Sequence, residues 1–312
     1  MPRLIAIAMA TAVRSSVKLH IRHVTNYRYR QRVALQPHRL LVMPRAGHEL
    51  MVLNSAVDCT PLPELDATED VFGNTIVTAT FAEPAAELRI SSDVIVEQSA
   101  PAWPVFRIAP RAHVYPFAYA EDEQIDLGAL LYPSHPDPHG RLSDWARGFV
   151  LGARTDTLSL LNDINGGLLD SVGYRMRDEA GTQSPLETLD QASGSCRDIA
   201  SLFIETVRSL GFAARAVSGY LFDAEAKLDE VSSTHAWAEV YLPGSGWISF
   251  DPTHRRLGSA NLIPVAVGRH NEQIMPVTGG YVGAAGDFVA MDVQVSVLPL
   301  DRPPGSDPGM HS

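Results

Sequence analysis

The apolar residues of this chain change period along its length, and that change narrows the folds open to it. Val17, Leu19 and Ile21 alternate with Lys18, His20 and Arg22, the two-residue period of a strand with one buried face. "HRLLVMPR", "HELMVLNSAVDC", "NTIVTATFAE" and "LRISSDVIVEQ" carry on to about Glu97, separated by Pro, Gly or Asn such as "FGN" at 72–74. Strands so spaced, with no helical period among them, predict a small β-sandwich or barrel. "APAWPVFRIAP" and "YPSHPDPHG" then mark a Pro-rich joint, where regular structure is disfavoured. Helical spacing begins near Leu142 with "LSDWARGFVLGA" and continues in "TLSLLNDINGGLLDSVGYR", with Gly166-Gly167 as a point of interruption.

A third helix follows Cys196. Ile199, Phe203, Val207 and Leu210 recur at helical spacing, and Gly211 stands where a left-handed C-terminal residue belongs. Strands return in "FAARAVSGYLF", "THAWAEVYL", "GWISFDPT" and "DFVAMDVQVSVL". The expected layout is a flexible extension over 1–16, a β domain over 17–100 and a Pro-rich connection over 101–140. A unit of helices packed on an antiparallel sheet follows over 141–300, then a disordered tail over 301–312. The fold class is α+β.

Composition removes some functions. A formal net charge of −11 opposes nucleic acid as the main partner, because phosphate binding needs a basic footprint. Cys59 and Cys196 allow at most one disulfide, which favours a reducing compartment. The run Leu4–Val13, with Arg3 before it and Ala8-Met9-Ala10 within it, outlines a signal peptide weakly. A cytoplasmic protein is the expectation, with a secreted or periplasmic one if residues 1–13 act as a signal. The run is too short to span a bilayer, so no membrane span is expected.

Ser195-Cys196-Arg197-Asp198 has capping-box spacing, which makes Cys196 the first helical residue. Unpaired N–H groups and the positive end of the helix dipole would favour its thiolate and could hold an oxyanion. The competing reading is a small hydrophobe in phase with Ile199 and Phe203. A nucleophile needs a base, and "SSTHAWAEVYLPGSGWISFDPTH" offers one in a hairpin that His235 opens and Asp251 closes. A three-residue loop sets Asp251 opposite His235 or Trp237, with both side chains on one face; a four-residue loop separates them. With the first outcome, Cys196, His235 and Asp251 make a nucleophile, a general base and the group that orients the base.

"GSCRDIASLFIETVRSLGFAARAVSGYL" and "THAWAEVYLPGSGWISFDPTH" resemble the transglutaminase-like superfamily, whose fold is related to papain-like cysteine proteases. "LHIRHVTNYRYRQRV", "RLLVMPR" and "DVFGNTIVTATF" resemble the β domain preceding this core in bacterial members. The resemblance spans roughly residues 17 to 300 and implies that Cys196, His235 and Asp251 are the triad. Arg197 departs from the animal transglutaminases, which have Trp after the nucleophile. Their oxyanion-stabilising upstream Trp has no clear counterpart, Trp145 being about 50 residues away. Tyr174, Ser195 and Trp237 are therefore the candidates for the oxyanion site and substrate cleft, with Trp247 as a second aromatic wall.

The implied activity is attack on amide carbonyls of a peptide or protein substrate through a thioester, most simply ending in hydrolysis. Transamidation, or a non-catalytic peptide-binding module on the same fold, is the alternative. No cofactor is expected: Gly279-Gly280 and "VGAAG" match no phosphate-binding pattern. No metal is expected either, since His135, Asp137 and His139 lie in a Pro-broken loop without a fourth ligand. The interleaved aromatic and basic residues of "HVTNYRYRQR" read as a solvated strand face, and Cys59 as a buried structural thiol.

Overall fold

A computed structural model describes residues 16–300 apart from 178, 180, 223–233 and 285. The signal-like run and the expected terminal tail lie outside the described residues. Among those described, no helix is long and apolar enough to cross a membrane.

The β-rich half is a two-sheet sandwich. β1 (Val17–Leu35) is its spine and pairs antiparallel with β6 (Ala85–Gln98), which pairs in turn with β3 (Leu50–Thr60). β2 (His38–Leu40), β5 (Thr75–Thr80) and β4 (Glu64–Glu69) form the facing sheet. The alternation noted above places Tyr29, Val33, Leu40, Cys59, Val77, Leu88 and Ile90 between the sheets.

The second half packs α5 (Cys196–Ser209) against an antiparallel sheet of β7 (Ala214–Leu221), β8 (Thr234–Leu242), β9 (Gly246–Asp251), β10 (Arg256–Leu257) and β11 (Leu262–Gly268), in the order β10-β9-β8-β7-β11. α1 (Glu121–Leu127), α2 (Arg141–Arg147), α3 (Thr157–Ser171) and α4 (Pro185–Gln191) complete the helices. Ile199, Phe203 and Val207 of α5 share one core with Ala238, Val240, Ile248 and Phe250. The polar side of α5 is buried as well, contrary to the one-sided pattern of its sequence. Arg208 pairs with Glu205 at 2.7 Å and also donates to Ala214 O and Arg269 O, while Glu205 accepts the N–H groups of Ser134 and His135.

Three expectations are revised. The final strand, grouped above with 141–300, pairs along β1 from Leu19↔Pro299 to Tyr29↔Phe288 and so closes the sandwich. Val277–Thr278 and Tyr281–Val282 join the same domain, pairing with β2 and β1. A two-residue period identifies a strand but says nothing of which open edge it will fill. Second, the Pro-rich segment contains α1 and straps the helical unit: Phe106, Ile108, Tyr115 and Phe117 pack on its core, and Tyr119 bridges Ala213 and Tyr241. Third, α3 runs unbroken through Gly166-Gly167; the Phe149 ring occupies the space a side chain at Gly167 would need, so the glycine serves packing rather than a break.

The halves share buried surface. Leu19, Ile21, Val94 and Val96 pack with Tyr220, Ile263 and Val265. The "FGN" turn docks on β11, where Asn74 exchanges hydrogen bonds with the Val267 backbone at 2.7 and 2.9 Å. Phe72 beside it packs on Val217, Trp237, Leu262 and Val267, so the sandwich forms part of the backing behind β8.

Candidate active site

Gly173–Tyr174 and Ser193–Gly194 pair in parallel and lead the chain into α5. Ser195 is the N-cap and Cys196 the first helical residue, as the spacing requires. The capping bonds are one-sided. The Asp198 carboxylate takes the Ser195 N–H and hydroxyl, both at 2.8 Å. Asp198 is fully buried and also accepts Arg177 Nη1 at 2.8 Å on each oxygen and the Gln183 N–H at 2.7 Å. Burial raises the carboxyl pKa, but these donors outweigh it and hold the group below its ordinary value. A carboxylate alone at N3 would oppose a thiolate at N1; paired to Arg177 it ties 173–195 to the helix tip with little net charge.

The hairpin loop is Pro243–Ser245, with Leu242↔Gly246 and Ala238↔Phe250 in register. Extending that register sets Asp251 opposite Trp237, one of the two outcomes that keep the acid and His235 on one face. His235 Nε2 lies 2.9 Å from Asp251 Oδ2. With Nε2 engaged, Nδ1 is the ring nitrogen left for the hydrogen bond His235 makes to the Cys196 side chain. Asp251 is fully buried, and its Oδ1 accepts the Thr253 N–H at 3.1 Å. Its Oδ2 is shared with His254 Nδ1 at 2.8 Å.

The charges reinforce one another. Burial alone would raise the Cys196 pKa, but the His235 hydrogen bond and charge, the Ala236 N–H and Arg197 bring it below its ordinary value. Burial alone would likewise lower His235, but Asp251 and Cys196 raise it to about 9. Asp251 is held well below the usual carboxylate range by both histidines, against the effect of burial. Both shifts run toward the thiolate–imidazolium form of the pair.

The remaining expectations divide. Tyr174 is exposed, and partial burial together with the Cys196 charge raises its phenol pKa; the parallel pairing of Gly173–Tyr174 with Ser193–Gly194 places it on the strand that leads into the helix tip. Ser195 does not face a cleft: its hydroxyl and N–H are both spent on Asp198. Trp237 is buried and stacks on His235, centroids 5.9 Å apart and planes 23° from parallel, so it backs the imidazole rather than lining an open wall. Trp247 lies near the turn end of the hairpin opposite Tyr241, under Arg215, and does not wall the site. Trp145 packs on Phe149. Cys59 is buried, and burial pushes its thiol up to about 11. His135 faces Glu205, while Asp137 accepts the N–H and hydroxyl of Ser143, so the Pro-broken loop does not gather its three residues as ligands.

Two partners escaped the sequence reading. His254 stands three residues after Asp251 in "DPTH", a spacing that could have flagged it; Arg177 carries no local signal. Among the described residues, His235, Asp251 and His254 are the one His/Asp cluster with ligand atoms within 4.8 Å of each other, and those atoms already bond to one another.

This arrangement, a cysteine on a helix tip facing a His–Asp pair on an antiparallel hairpin, defines a papain-like α+β core. The chain belongs to the transglutaminase-like superfamily: residues 143–252 match its core, and residues 19–97 match the bacterial transglutaminase-like N-terminal region. An uncharacterized protein of Mycobacterium tuberculosis is 26% identical over 301 residues, 91% of this chain and 93% of its own. One from Mycobacterium leprae is 24% identical over 298 residues, covering 90% and 99%. The solved structure of a candidate cysteine protease from Cytophaga hutchinsonii superposes with a TM-score of 0.73 at 20% identity, over 93% of this chain and 92% of that one. That likeness establishes the shared fold.

Proposed function

We propose that this protein is a cysteine-nucleophile enzyme that attacks amide carbonyls of peptides or proteins and passes through a thioester acyl-enzyme. The observation that carries this reading is Cys196 on the first position of α5 with its thiol pKa lowered, against the effect of burial, by His235, whose Nε2 lies 2.9 Å from the buried Asp251 carboxylate. The Cys196 thiolate adds to the carbonyl carbon. The His235 imidazolium gives its Nδ1 proton to the leaving amine as the C–N bond breaks, and the neutral ring then takes a proton from the water that resolves the thioester. Asp251 holds the ring by Nε2 and stabilises its charged form. The Cys196 N–H, one of the first-turn donors without a partner inside the helix, and the Tyr174 hydroxyl are assigned to the oxyanion.

Hydrolysis is favoured over transamidation by solvent access. Tyr174, on the strand leading to the helix tip, and His254, beside Asp251, are both accessible to water. No cofactor enters this chemistry. The test is the rate of alkylation of Cys196 against pH, read by mass spectrometry with Cys59 as internal control. Fast reaction below pH 7 that is lost in His235→Ala is expected. A rate no greater than that of a free thiol, unchanged in the variant, would reject the pairing and favour a binding module. Peptide cleavage with and without a competing amine then separates the two fates of the thioester.

A further inference from the structure

Two features left unexplained by the site meet in the sandwich domain. Tyr27 and Tyr29, from the stretch read as a solvated face, line a cavity of about 350 Å³ with Gln36, His38, Gly279, Gly280, Tyr281 and Phe288. Gly279 is needed there, and Gly280 lets the Gln36 amide lie against the backbone. A Cβ at Gly279 would stand 2.3 Å from the His38 ring, and one at Gly280 would stand 2.5 Å from Gln36 Oε1.

The rings that line it pack on one another at steep angles. Tyr29 meets Tyr281 at 57° and Phe288 at 66°, with centroids 5.0 and 6.5 Å apart, and Tyr27 meets His38 at 65°. His38 is 2% exposed. Its Nδ1 lies 2.7 Å from the Gln36 carbonyl oxygen, which can only accept, so Nδ1 holds the proton. Nε2 of the neutral ring is then a bare lone pair, with no partner among the described residues. Burial lowers the His38 pKa, which keeps the ring neutral, and raises Tyr27 to about 12, which keeps its phenol neutral.

The lining therefore offers π-faces, an imidazole lone pair, an amide and phenol oxygens, and it contains no Lys, Arg, Asp or Glu. An anion would find no cation there. Aromatic rings and neutral acceptors around one cavity, with no fixed charge among them, suit a positive, N–H-bearing head on an aliphatic stem. We propose that this pocket binds a primary alkylammonium group of the kind a lysine side chain presents. This assignment does not depend on the acyl-transfer reading.

The test is titration calorimetry on the full chain with Nα-acetyl-lysine amide and its neutral analogue Nα-acetyl-norleucine amide. The lysine probe should bind at least about tenfold more tightly, the range a partly desolvated cation–π contact supplies. Tyr27→Leu and Tyr281→Leu, each confirmed folded by circular dichroism, should lose that preference. Equal binding of the two amides, or no saturable binding of the lysine probe into the millimolar range, would overturn the assignment without help from either variant. Tighter binding of methyl glucoside than of the lysine probe would overturn it in favour of a hydroxylated ring. None of these outcomes alters the Cys196 alkylation result, so the two readings fail separately.

Discussion

Substitution at the Asp198–Arg177 pair should reveal how the helix tip is built. Asp198 is fully buried and accepts five hydrogen bonds: two from Arg177, two from Ser195 and one from the Gln183 backbone. In Asp198→Asn, an amide NH2 must face donors, and a guanidinium only 10% exposed loses its buried partner. Breaking a buried pair in this way costs about 3–5 kcal/mol. Arg177→Met is milder, because the carboxylate keeps three donors and loses only charge-assisted bonds, about 1.5–3 kcal/mol. Equilibrium urea unfolding at pH 7 with a shared m-value should place Asp198→Asn about 2 kcal/mol below Arg177→Met. The thiol should respond in opposite directions. Arg177→Met leaves an uncompensated anion in the first turn of α5 and moves the pH midpoint of Cys196 alkylation upward. Asp198→Asn leaves a cation and moves it downward. An Asp198→Asn variant within about 1 kcal/mol of wild type, well short of the buried-pair cost, or midpoints shifting the same way, would refute this account.

Three further outcomes follow from the geometry. In Gly219→Ala a Cβ would stand 2.0 Å from the Ile263 carbonyl oxygen and 2.9 Å from Trp237, in the residue paired with His235. Despite the usual gain of about 0.4–1 kcal/mol from stiffening the unfolded chain, thermal denaturation should show a loss of about 1–3 kcal/mol, with a fall in Cys196 reactivity. In His254→Ala, Asp251 retains His235 and the Thr253 N–H. Stability should change by about 1 kcal/mol, His254 being a third exposed. The carboxylate then acts on His235 alone, and NMR titration should find the imidazole pKa raised further. The raised pKa of His235, about 9, gives a sign for pH. Its contribution is complete below the unfolded value of about 6.5 and is lost as pH rises through the folded one. The stability gap between wild type and His235→Ala should therefore narrow between pH 7 and pH 10; a gap that widened would contradict the ion pair.

Local rules carried far in this chain because its signals are local. A two-residue period, turn residues and a strong N-cap read correctly as a β domain and a helix starting at Cys196, since backbone sterics and first-turn hydrogen bonding depend on near neighbours. The hairpin left three registers open for Asp251, two of which keep it on the face of His235, and three-dimensional packing selected one of those two. Reading failed where the deciding partner is distant. The apolar alternation of "DFVAMDVQVSVL" is the same whichever sheet it joins, and β1 claims it about 270 residues away. Ser195 looked available until Asp198, itself neutralised by Arg177, took both its donors.

The sequence by itself determined the strands and the helix that carry the site and which side chains could do the chemistry: a thiol at a helix start, and an imidazole and a carboxylate at the open end of one hairpin. Only the tertiary structure decided their charges. The burial that would neutralise Asp251 is overcome by two histidines, and the burial that would raise Cys196 is overcome by His235. Desolvation and pairing depend on what surrounds a group, and those surroundings come from strands far apart in the chain.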